Sequence, residues 1–72
     1  MDSLAGAVRR RRKEVGLTQR DLALLSGVGV GFVGFVESGK PGVRLDHIFR
    51  VLRALGLGFR LIESHTPFVV EL

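Results

Sequence analysis

From Leu22 to Val36 the chain carries no charged residue, and the rhythm of its apolar positions changes halfway through. Thr18, just before this run, is placed to act as an N-cap, its hydroxyl accepting from the amide of Asp21. Asp21 stands where a capping box has Glu or Gln, and Leu17 and Leu22 occupy the two places of a hydrophobic staple. These signals predict a helix opening at Gln19. Ala23 is small enough to let another helix come close, and Gly27 ends the first helix with positive φ. Val28 then tucks under the turn. Val33 and Val36, three apart, supply the inner face of a second helix, which Glu37, Ser38 and Gly39 close. The pattern is that of two short crossed helices, a helix-turn-helix.

The flanking segments follow the same logic. Ser3 to Val15 reads as a helix with Leu4, Val8 and Val15 on one face and Gly16 just past its end. Gly39 to Arg44, GKPGVR, reads as a loop. Leu45 to Leu55 reads as a further helix whose core stripe is Leu45, Ile48, Phe49, Leu52 and Leu55, with Arg50 and Arg53 outward and Gly56 as the stop. Gly58 to Glu63 alternates as a short strand with Phe59 and Leu61 inward. After a turn at His65-Thr66-Pro67 comes the apolar end Phe68-Val69-Val70-Glu71-Leu72. That end has three readings: a second strand, a cover for a dimer, or a segment that docks into a partner, with dimer packing preferred. The expected division is residues 1–57 as the helical domain and 58–72 as strand and tail.

Seventy-two residues make one domain with a limited core, which gains from a staple or a partner. There is no cysteine, so neither a disulfide nor a thiolate metal site is available, and two distant histidines argue against zinc. Oligomerisation is the staple left. The net charge of +4 is uneven. Arg9, Arg10, Arg11, Arg12, Lys13 and Arg20 crowd the first part, and Lys40, Arg44, Arg50, Arg53 and Arg60 the second. Basic clusters on a small domain favour a polyanion. The uncharged run is shorter than the roughly 20 residues that cross a bilayer and is broken by glycines, so no membrane partner is expected. No secretory pattern follows the basic run, and a cytoplasmic location is expected. Ser64 and His65, adjacent in a strand, point apart and cannot pair as nucleophile and base, and no Walker-type loop is present. The chain therefore reads as no enzyme, with no cofactor and no metal.

Thr18-Gln19, Leu22-Ala23, Gly27-Val28, Val33 and Glu37-x-Gly39-Lys40 together resemble the lambda-repressor-like (XRE-type) DNA-binding domains. Gly39 to Leu57, GKPGVRLDHIFRVLRALGL, resembles the small HipB-like antitoxins. The resemblance runs from about Ala7 to Leu61. It implies an all-α, four- to five-helix domain with a short C-terminal β-strand pairing across a dimer. It implies a sequence-specific repressor that binds double-stranded operator DNA as a homodimer, represses its own operon and binds a HipA-like kinase toxin. Carried over residue by residue, it implies a partly buried Arg12–Glu37 ion pair and a phosphate or base contact at Gln19, with Arg20 beside it. It also implies phosphate contacts at Lys40 and Arg44. The strand would pair with its copy, burying Phe59 and Leu61; the preferred reading of the apolar end adds Phe68 and Val70 to the dimer packing.

One departure changes the picture. The outward positions of the second motif helix are Gly29, Val30, Gly31, Gly34 and Phe35, where the family commonly has polar or basic side chains. Arginine and glutamine forks read guanine and adenine, whereas glycine and valine cannot. Three outcomes stay open: DNA bound mainly through phosphates and shape, with Gln19, Val30 and Phe35 adding specificity; a protein interface anchored by Phe35; or DNA binding lost. The alternative functions are accordingly a protein-interaction adaptor that keeps the fold, or a stand-alone regulator without a toxin.

Overall fold

The computed structural model describes residues 3–58, 60–63 and 68–71. Four helices, α1 (Leu4–Glu14), α2 (Gln19–Ser26), α3 (Val30–Glu37) and α4 (Leu45–Ala54), precede two strands, β1 (Arg60–Glu63) and β2 (Phe68–Glu71).

The helix ends are set by local chemistry. Ser3 caps α1, its hydroxyl accepting from the Gly6 amide at 3.0 Å. Thr18 and Asp21 form a reciprocal capping box at α2, each side chain accepting from the other's amide at 3.0 Å. Gly27 ends α2 at φ 72°, a conformation that only glycine adopts without strain, and its amide donates to Ala23 O. The uncharged run is thus split at Gly27 into two helices bent by 116°. No single helix among the described residues is long and apolar enough to cross a membrane.

All four helices feed one core: Val8 from α1, Leu22 and Ala23 from α2, Val33 and Val36 from α3, and Ile48, Val51 and Leu52 from α4, with Leu55 just beyond it. Ser26 is the one buried polar residue of the described set, and its hydroxyl donates to Leu22 O one turn back. Arg11 Nε donates to Leu55 O at 3.0 Å, clasping the end of α1 to the end of α4.

Three apolar residues assigned inward by spacing are exposed. Val15 is 43% exposed because it falls at the C-cap of α1, past the core, and Leu17 packs inward after the turn instead. Leu45 and Phe49 are 62% and 45% exposed. The buried arc of α4 is Ile48, Val51, Leu52 and Leu55, rotated by roughly 50° from the expected stripe at 100° per residue. Spacing fixes the width of such an arc but not its centre, and Val51 belongs to it.

β1 and β2 pair antiparallel from Arg60↔Glu71 to Glu63↔Phe68. The strand expected to pair with its copy in a second subunit therefore has its partner in the same chain. Leu61 and Val70 are register partners in this hairpin, and Phe68 stands opposite Glu63. Phe59, Ser64 and the expected turn at His65-Thr66-Pro67 lie outside the described residues.

Candidate nucleic-acid interface

The turn between α2 and α3 carries α3 across its neighbours, with α2 and α1 both packed against it. A polar knot holds this crossing. Arg12 meets Glu37 through two bonds, Nε to Oε2 at 2.7 Å and Nη2 to Oε1 at 3.0 Å. Arg12 Nη1 also donates to Leu17 O at 2.9 Å, and Gln19 Nε2 donates to Glu37 Oε1 at 3.2 Å. One carboxylate thus receives from α1 and α2 at the last residue of α3.

The two charged side chains are only 11% and 5% exposed. Burial alone would push the Glu37 carboxyl up. The hydrogen bonds from Arg12 and Gln19, with the charges of Arg12 and Arg9, outweigh burial and hold it below the usual carboxylate range. The hydrogen bond to Glu37 likewise raises Arg12, against the opposing effect of its own burial. Both groups are therefore ionised in the folded chain. Fork geometry and low exposure make the loss of either partner costlier than at a surface ion pair.

Gln19, expected as an outward contact, is half-buried and tethered to Glu37. It borders a depression of about 290 Å³ lined by Arg9, Arg12, Gln19, Gly34, Glu37 and Ser38. Arg9 is singled out here by its i−3 position relative to Arg12, which places it beside the knot. In the sequence it is one of an undifferentiated basic run.

Four of the five residues read as outward on α3, Gly29, Val30, Gly31 and Phe35, are exposed. Gly34 is half-buried, and a Cβ built on it would stand 3.8 Å from Gln19 Oε1. The inner side holds Val33 and Val36, with Phe32 half-buried and set edge-on to His47 at a centroid distance of 5.4 Å. Arg20, the second residue of α2, and Lys40, three past the end of α3, are exposed. Arg44 is exposed at the N-cap of α4 and pairs with Asp46 at 3.0 Å. Among the described residues no cluster of His, Asp and Glu is arranged to hold a metal ion.

A short helix, a glycine turn and a second helix locked across the first define a helix-turn-helix domain. Residues 8–62 match the helix-turn-helix family. An uncharacterized HTH-type transcriptional regulator of Sinorhizobium fredii, y4mF, is 36% identical over 59 residues, spanning 82% of this chain and 78% of that protein. The restriction-modification controller protein C.AhdI of Aeromonas hydrophila superposes with a TM-score of 0.70 at 36% identity, covering 76% of this chain and 83% of its own. HipB, in the HipA–HipB–O2–O3 complex, gives a TM-score of 0.77 at 27% identity, covering 89% of this chain and 94% of its own. The chain belongs to the XRE-type helix-turn-helix family of transcriptional regulators.

Proposed function

We propose that the chain is a homodimeric, operator-binding repressor, the antitoxin of a HipBA-like system whose partner is a kinase toxin. The observation that carries the DNA half of this reading is the outer face of α3, exposed on a crossed pair in a chain that also exposes Arg20, Lys40 and Arg44. The likeness to HipB, which covers more of the chain than the likeness to C.AhdI, supports the antitoxin half. Leu45 and Phe49 are exposed one turn apart on α4, and Phe49 lines an open groove with Leu52, Arg53 and Leu57. This apolar edge supports a protein interface on α4, and the apolar residues Phe59, Leu61, Phe68 and Val70 that follow in the sequence extend the proposal to the dimer contact.

The test is duplex binding against salt. With about six phosphates neutralised per dimer, affinity falls on the order of 10³-fold between about 50 and 200 mM salt. Binding that ignores salt overturns the DNA reading and leaves the adaptor. A second reading, a stand-alone regulator, is favoured by the higher identity to C.AhdI than to HipB. A kinase-like gene beside this one, whose product co-purifies with the chain, decides for the antitoxin.

A further inference from the structure

The outer arc of α3 has an unusual chemistry for a surface that meets base edges. At 100° per residue, its outer side runs in the order Val30, Gly34, Gly31, Phe35, spanning about 140°, with Gly34 half-buried beside Gln19. Val30 and Phe35 are therefore two apolar walls, 48% and 36% exposed, on either side of a floor made of bare backbone. The helix has one charged residue, Glu37, and the knot with Arg12 and Gln19 consumes it. The amide nearest the floor, that of Gln19, already donates to Glu37. No α3 side chain on this arc can donate to guanine or accept from cytosine. Positive charge comes from other elements: Arg9 of α1, which shares a depression with Gly34, and the exposed Arg20, Lys40 and Arg44, all suited to phosphates.

In the major groove the difference between bases that a purely apolar wall can sense is a methyl group at pyrimidine C5. Thymine carries that methyl, and so does 5-methylcytosine. Uracil and unmodified cytosine lack it. Resting on the DNA reading above, we infer that α3 reads duplex DNA by its 5-methyl groups, with Val30 and Phe35 as the specificity-determining residues and the Gly31–Gly34 floor allowing close approach. The site consequently accepts 5-methylcytosine in place of thymine, and its occupancy responds to cytosine methylation.

The experiment begins by selecting bound duplexes from a random pool with the full chain. The selected duplex is remade with deoxyuridine for thymine, one position at a time. At each sensitive position a cytosine–guanine or 5-methylcytosine–guanine pair then replaces thymine–adenine. Loss of one read methyl weakens binding roughly fourfold. Methylcytosine restores what cytosine loses, and Val30→Ala or Phe35→Ala flattens the difference at its own position. Equal affinity for thymine and uracil duplexes, or for cytosine and methylcytosine duplexes, overturns the methyl reading while leaving DNA binding intact. A methyl preference that survives both substitutions overturns the assignment to α3. Failure to bind any duplex overturns the DNA reading itself.

Discussion

Helices α2 and α3 are the same length, eight residues each, and are made in opposite ways. α2 has a reciprocal capping box at one end and a left-handed glycine at the other. α3 starts at Gly29 with no side-chain cap, contains Gly31 and Gly34, and has no acidic residue in its first turn or basic residue in its last. Each of those glycines costs up to about 1 kcal/mol of helix propensity. Local signals write α2, whereas tertiary contacts impose α3 through Val33, Val36 and the Glu37 knot. The helix expected to meet DNA is the one that depends on its neighbours.

Breaking the knot gives the largest effect. Arg12→Ala leaves Glu37 buried without its charged partner and costs about 3 kcal/mol in chemical denaturation. The pair also has a pH signature. The carboxyl of Glu37 lies lower in the folded chain than in the unfolded one, so its contribution is full above the unfolded value of about 4.3 and is lost as pH falls through the folded value. The stability gap between the native chain and Glu37→Gln is accordingly widest near neutrality and narrows in acid. A gap independent of pH removes the ionised pair as its source.

Truncating the core beneath α3 comes next. Val33→Ala, at a fully buried position, costs about 2 kcal/mol. Thr18→Ala removes the cap of α2 and costs about 1 kcal/mol. If the cap substitution destabilises more than the core one, the contrast between the two helices is reversed. The smallest effect has the opposite sign. A Cβ at Gly31 meets nothing within 4 Å, so Gly31→Ala stabilises the chain by up to about 1 kcal/mol in thermal melts. The same change raises the floor between Val30 and Phe35, so duplex affinity falls as stability rises. Unchanged affinity would show that the bare floor has no part in contact.

The sequence carried the motif well where the signal is local. Thr18, Asp21 and Gly27 act within one turn of themselves, and the boundaries of α2 follow from them. The contact between Arg12 and Glu37 joins residues 25 apart: helical spacing puts Arg12 on the stripe side between Val8 and Val15, but only family likeness names Glu37 as its partner. The tie from Arg11 to a main-chain carbonyl has no sequence signal, since every residue has such a carbonyl. Phe49 and Leu45 are exposed against expectation because an apolar stripe broader than the buried arc can be centred in several ways. The pairing of β1 within its own chain depends on a return segment whose polarity pattern also fits a tail.

The clasp between Arg11 and Leu55 spans 44 positions and has a consequence for the order of folding. The Arg12–Glu37 knot joins residues 25 apart, a shorter loop than the clasp closes, so chain entropy favours making the knot first. The end of α1 gains its anchor only when Leu55 arrives with α4. Before that step the core positions that Ile48, Val51 and Leu52 complete stay open to water, and a partly folded chain is exposed to association there.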